Sequence, residues 1–226
     1  MPRPPRADVA GHLYHALNRG NQRDAIFRKD DDYEAFERVL NEGLQKFPVD
    51  LLTYCWLPNH WHMVLKPRED GAMGRLLYWV TMTHTARHHA HYHTAGNGHL
   101  YQRRYKSFPI QTDEHFFVVM RYVERNALAG GLVEKAEDWR FGGLFNWLGG
   151  HCGIKLAKWP VPRLPNWLER VNRVVSEKEA EQLKRSIARG QPFGDAGWVE
   201  TSALQYNLES TLQKRGRPYK FTHASN

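Results

Sequence analysis

Residues 49–67 hold two runs rich in β-branched and aromatic side chains, VDLLTYCWL and HWHMVLK, with only Pro58-Asn59 between them. Strands joined by so short a break read as an antiparallel hairpin, and the rest of the chain has to be organised around that pair. Upstream, residues 11–19 alternate loosely and stop at Gly20-Asn21, as a strand does on entering a turn. Asp30 to Asp32 then precede Tyr33, Phe36, Val39, Leu40, Leu44 and Phe47. That is helical spacing behind an acidic first turn, which suits the positive end of the helix dipole. Downstream, Met73, Leu76, Leu77, Val80, Met82 and Ala86 predict a helix over residues 71–93, closed by Gly96-Asn97-Gly98. Residues 99–111 predict a fourth strand carrying a basic patch. Thr112 or Asp113 caps a third helix to about residue 128, with Phe116, Val119, Met120 and Val123 as its core stripe and Gly130-Gly131 as its end. The order β-α-β-β-α-β followed by a helix is the ferredoxin-like split pattern, an α+β fold with an antiparallel sheet.

Beyond residue 150 the character changes. KWPVPRLPNWL has three prolines and two tryptophans in eleven residues, too many prolines for a regular element. Ser176 to Glu179 form a capping-box signature for a short helix ending at Gly190, and a second helix is predicted over residues 198–208. The chain of 226 residues therefore divides at 1–150 and 151–226, the second part an appendage wrapped on the first without a core of its own. Its share of the +8 formal charge is +6. The last fifteen residues include Lys214, Arg215, Arg217 and Lys220 and no acid, so the tail is the most anion-seeking piece. Hydrophobic residues at 41% exclude a disordered chain. There is no apolar run of 18 residues, which argues against a membrane span, and no signal-peptide pattern opens the chain. Cys55 and Cys152 lie 97 residues apart and read as core thiols, so a reducing cytoplasm is the expected home. Positive charge with eight tryptophans suits nucleic acid.

His60-Trp61-His62 is the first group that could carry chemistry. Residues two apart on a strand share a face, so both imidazoles project together and Trp61 points away. Two imidazoles can hold a divalent metal, but a third ligand is needed before the motif means more than two polar strand residues. Tyr122 and Asn126 lie at i and i+4 on the third helix and share a side of it, with Tyr122 at the edge of the core stripe. Alone, the tyrosine is a cover for the core and the asparagine a helix-end residue. His84, His88 and His91, with His89 and His93 beside them, form a histidine-rich helix face. It is read as a solvated face near nucleic acid, supported by Arg87, rather than a zinc site, because no cysteine or carboxylate joins it. On the predicted fourth strand Arg103 and Tyr105 fall on one face, Arg104 and Lys106 on the other. They serve either as a solubilising edge or as phosphate contacts. Trp147, Trp159, Trp167 and Trp198 are assigned to packing that fastens the appendage.

Taken together, Leu57-Pro58-Asn59-His60-Trp61-His62 and, 60 residues later, Tyr122 within RYVERNALAGGLV resemble the single-tyrosine HUH transposases. Among these the chain looks most similar to the REP-associated tyrosine transposases of bacteria. The turn Asn18-Arg19-Gly20-Asn21, the stretch GHLYQRRYK, and the ending Leu208-Glu209-Ser210-Thr211 with Arg215-Gly216-Arg217-Pro218 share in the likeness. The resemblance implies that Tyr122 is the nucleophile and that His60, His62 and Asn126 hold a metal, with Asn126 where related insertion-sequence enzymes carry glutamine. One departure is Ala127, where the family commonly has proline after the asparagine. Ligand softness leaves Zn, Fe or Ni open for two imidazoles, and Mg or Mn for an amide oxygen with waters. The resemblance implies Mg or Mn.

The implied activity is metal-dependent cleavage and rejoining of single-stranded DNA beside REP-like hairpins through a 5′-phosphotyrosine, by a monomer associated with the bacterial nucleoid. Arg19, Asn21, Arg103, Arg104, Lys106, Lys214, Arg215 and Arg217 are the expected DNA contacts. A catalytically retired DNA or RNA hairpin-binding module is the alternative, against which the intact set of His60, His62, Tyr122 and Asn126 argues.

Overall fold

The computed structural model describes residues 6–96, 98–150 and 153–213. Strand β1 (Leu13–Arg19) leads into helix α1 (Asp30–Lys46), whose first turn carries Asp30, Asp31 and Asp32 as expected. The hairpin follows as β2 (Val49–Leu57) and β3 (His60–Pro67), then α2 (Ala72–Tyr92) and β4 (Lys106–Ile110). Helix α3 (Glu114–Glu124) starts where the Asp113 side chain accepts the His115 amide. Four strands form one antiparallel sheet in the order β2-β3-β1-β4, an α+β arrangement with the ferredoxin-like strand order.

The sheet is buried on both faces, and its pleat sorts the side chains. Tyr14, Ala16, Tyr54, Trp56, Trp61, Met63 and Leu65 point into the core shared with α1 and α2. Leu13, Cys55, Leu57, Val64, Phe108 and Ile110 point the other way and meet Phe116, Val119, Met120 and Val123 of α3, none of which is exposed. Burying four such side chains stabilises this layer by about 1.5–3 kcal/mol each. At the end of β1, Gly20 donates its amide to the Asn59 carbonyl at 2.8 Å. A Cβ there would meet the Asp24 carbonyl at 2.3 Å, so only glycine lets the chain fold back beside the β2–β3 turn.

Three expectations need correction. The fourth strand is shorter than residues 99–111, because Tyr101 makes only an isolated bridge to Gly20 and residues 102–104 leave the sheet. The Arg6 guanidinium lies over the Tyr105 ring and bonds its carbonyl, taking an acceptor that a ladder would use. The third helix is interrupted at Arg125, and a short α4 (Asn126–Ala129) follows. Third, the histidine face of α2 is not solvated throughout. His84 and His88 are buried, with His84 bonded to the Tyr101 hydroxyl at 2.7 Å and wedged against Phe36 and Phe27. Arg87 there is paired with Glu42 at 2.8 Å.

After α5 (Gly143–Trp147), the later chain forms α6 (Trp167–Asn172), α7 (Glu177–Arg189) and α8 (Ala196–Gln205). The capping box at Ser176 and the left-handed Gly190 end of α7 are present as expected. Trp167, Val171, Leu183 and Phe193 join the α3 layer, while Ala203, Tyr206 and Leu208 join the opposite one. Trp159 and Trp167 meet edge to face at 5.2 Å, which is packing rather than an open stacking surface.

Candidate active site beneath the third helix

Because side chains alternate along β3, His60 and His62 leave the sheet on the α3 side while Trp61 enters the other core. Arg19 pairs directly with His60 and Leu17 with His62, so His15 is the diagonal neighbour of His62 on the same face. The His60 and His62 rings lie 5.0 Å apart. Helix α3 crosses above them, and the Tyr122 ring meets His62 edge-on at 5.5 Å and 89°. Asn126, one turn later, stands close enough to the Tyr122 phenol to favour its ionised form. The fold thus brings together all four residues that the sequence singled out for chemistry, from segments 60 residues apart.

Burial controls the charges here. It pulls His60 down to about 4, helped by the positive Arg19. It holds His62 well below the usual imidazole range, with His15, His60 and Arg19 adding to the effect. His15 falls to about 3 through burial alone. At neutral pH all three rings are uncharged, and a neutral ring keeps a lone pair for a cation. Burial raises the Tyr122 phenol above its usual value, against the Asn126 side chain and the Arg19 charge, which favour the phenolate. The protein alone therefore holds Tyr122 as a phenol whose ionisation Arg19 assists.

The donor set fits a divalent cation. His62 Nε2 is buried and, among the described residues, has no hydrogen-bond partner, while its Nδ1 is occupied by His15 Nε2 at 2.9 Å. A buried polar atom left open in this way needs an external partner. His60 Nδ1 is 2.5 Å from Asn59 Oδ1, an acceptor, which places the proton on Nδ1 and the lone pair on Nε2. Among the described residues no group of three His, Cys, Asp or Glu is placed to hold a metal. Any centre here would be two imidazoles completed by an amide oxygen, that of Asn126, and so would lean to harder ions.

The family model for IS200-like transposases matches residues 8–126, a little over half of the chain. The chain belongs to the IS200-like transposases. The matched span opens ahead of β1 and closes on Asn126, so it contains every residue of the site. The transposase shares its fold with a solved REP-associated tyrosine transposase bound to a REP hairpin, with a TM-score of 0.56 and 16% identity. That likeness covers 78% of this chain and 100% of the other. A transposase-like protein of Deinococcus radiodurans R1 is also similar, at 16% identity over 55% of this chain and 96% of the other, with a TM-score of 0.39. No curated protein matches the transposase.

The expected DNA contacts divide into groups. Arg19 belongs to the site itself, and its Nε is buried without a partner among the described residues. Asn21 lies just past the end of β1, its amide bonded to the Leu100 carbonyl at 2.8 Å. Arg103, Arg104 and Lys106 line a groove of about 290 Å³ along the β4 edge, together with Arg6 and Arg189. Lys214, Arg215 and Arg217 lie outside the described residues, as does Cys152, whereas Cys55 is buried. Among the described residues no helix is long and apolar enough to cross a membrane.

Two features escaped the sequence reading. His15 gave only the signal of one imidazole inside an apolar strand. Glu124, two residues beyond Tyr122, is buried and bonded to Thr53 at 2.9 Å and Trp167 at 2.7 Å, with Arg163 at 3.4 Å. A carboxylate on a helix gives no local sign of that pairing.

Proposed function

We propose that this transposase cleaves and rejoins single-stranded DNA beside palindromic, REP-like hairpins, with Tyr122 as the nucleophile. The observation that carries the reading is the Tyr122 ring set edge-on against His62, with Asn126 beside its phenol and an open His62 Nε2. The phenol loses its proton and its oxygen attacks phosphorus. The bond to the 3′ oxygen breaks, leaving a 5′-phosphotyrosine and, after protonation, a free 3′-hydroxyl. Because the phosphodiester energy is kept in the new ester, a 3′-hydroxyl can reverse the attack and join strands. Arg19 stabilises negative charge developing between the phenolate and the phosphate. His60, His62 and Asn126 would hold Mg or Mn. When bound, such an ion supplies Lewis-acid polarisation of the non-bridging phosphate oxygens.

We assign residues 1–150 to catalysis and residues 151–226 to a basic appendage that helps grip the hairpin. Arg103, Arg104 and Lys106 contact its phosphates, joined by Asn21 and by the tail residues Lys214, Arg215 and Arg217. The enzyme works as a monomer on DNA of the bacterial nucleoid. The test mixes the full chain, Mn²⁺ and labelled hairpins with single-stranded flanks, then seeks a denaturant-resistant protein–DNA adduct. An adduct lost in Tyr122→Phe and in EDTA is the expected result. Cleavage that survives Tyr122→Phe refutes the tyrosine mechanism, and tight binding with neither cleavage nor adduct moves the assignment to a retired hairpin-binding module.

A further inference from the structure

His15 takes no part in the chemistry above, yet it stands directly behind the proposed ligands. Its ring is fully buried, 4.8 Å from Phe108 and 6.1 Å from Tyr122. Its Nδ1 has no partner among the described residues, and its Nε2 meets His62 Nδ1 at 2.9 Å. A neutral imidazole carries one N–H and one lone pair. The approach of the two rings is a hydrogen bond only if one nitrogen brings the proton and the other the lone pair. If His62 Nδ1–H donates to His15 Nε2, the outward nitrogen of His62, Nε2, carries a lone pair. If His15 Nε2–H donates instead, His62 Nε2 carries a proton and rejects a cation. The proton shared by the two rings therefore decides whether His62 can be a ligand.

The other half of the motif solves the same problem with different atoms. Asn59 Nδ2 donates to the Arg23 carbonyl at 3.1 Å, which orients the amide so that its oxygen faces His60 Nδ1 at 2.5 Å. Each histidine of the pair thus has a dedicated neighbour at Nδ1. We infer that His15 is a positioning residue that accepts the His62 Nδ1 proton and so fixes the tautomer and ring angle presenting the His62 Nε2 lone pair to a divalent cation. The inference rests on the reading of His60 and His62 as metal ligands. Outer partners of ligating histidines typically tune metal affinity by 10–100-fold.

The test measures Mn²⁺ binding to the full chain by electron paramagnetic resonance of the free ion, without DNA. His15→Phe keeps a ring between Phe108 and Tyr122 but removes the acceptor, and should weaken binding about 10–100-fold. His15→Gln restores an acceptor oxygen and should bind within a few-fold of the parent. In the Mg²⁺-loaded parent, long-range proton–nitrogen spectra should show His62 protonated at Nδ1. Folded His15→Phe that binds Mn²⁺ as tightly as the parent overturns the inference, as does a His62 proton on Nε2 in the loaded parent. The spectrum decides the matter even if His15→Phe does not fold. His62→Ala separates the two readings. If it leaves Mn²⁺ binding unchanged, the metal assignment falls and this inference with it. If it abolishes binding while His15→Phe does not, only the role of His15 falls.

Discussion

Replacing Arg163 with alanine should unfasten the helix that carries Tyr122. The Arg163 guanidinium lies 3.6 Å over the Trp159 ring and 3.9 Å over Trp147, and reaches Glu124 at 3.4 Å. The Glu124 side chain is 0% exposed and that of Arg163 only 12%. Removing one partner of a buried ion pair leaves an uncompensated charge and costs about 3–5 kcal/mol. In a chain of this size that lowers the melting temperature by roughly 6–20 °C. Burial already raises the Glu124 pKa, and Arg163 is the main influence opposing it. An acid whose folded pKa exceeds its unfolded value loses stability as pH climbs from the unfolded value to the folded one. The Arg163→Ala deficit should therefore be larger at pH 8 than at pH 5, because falling pH favours the protonated carboxyl. Adding Glu124→Gln removes the charge while leaving an amide to bond Trp167 and Thr53, and should recover at least half of the loss. Urea melts of the single and double variants at both pH values read this directly. Equal deficits in both variants with no pH dependence would refute the electrostatic reasoning and assign the effect to the tryptophan stacking.

Phe116→Ala, which empties the fully buried stripe of α3, should cost about 3–5 kcal/mol in urea melts. His84 is held near 3 by burial, whereas an unfolded histidine takes up a proton below about 6.5. Its linkage should cost about 2 kcal/mol at pH 5 and almost nothing at pH 8. His84→Gln, which keeps a partner for Tyr101, should flatten that part of the pH–stability profile. Charge removal at Arg103, Arg104 and Lys106 together should weaken hairpin binding and lower the slope of log K against log salt by about 0.9 for each phosphate that is no longer neutralised. Fluorescence titration of Tyr122→Phe carrying the triple change, against Tyr122→Phe alone, isolates binding from cleavage.

Features with short periods were readable from the chain. The two-residue period of β3 placed His60 and His62 together, and the four-residue spacing of Tyr122 and Asn126 put them on one side of the predicted third helix, although Asn126 in fact opens α4. Residues 99–105 misled because their aromatic and basic alternation looks like a strand. Their partners are in fact tertiary: Tyr101 serves Trp61 and His84, and Tyr105 serves Arg6. His84 and His88 looked solvated because nothing on α2 itself reports the Phe27, Phe36 and Asp32 side chains that α1 and its approach bring against them. His15 and the Glu124–Arg163 pair depend on partners 47 and 39 residues away, and local pattern carries no trace of such distances.

The position of Arg163 also gives the chain a history as it is made. Synthesis runs from the first residue onward, and all four residues of the candidate site leave the ribosome well before the segment that pins α3 from behind. In that interval Glu124 lacks its countercharge, and the layer beneath α3 lacks Trp167. Until then α3 rests on its sheet through Phe116, Val119, Met120 and Val123, without the partners that residues 159–167 bring to Glu124. The proline- and tryptophan-rich stretch then closes over Glu124, two residues from Tyr122, with the Arg163 charge and the Trp167 indole.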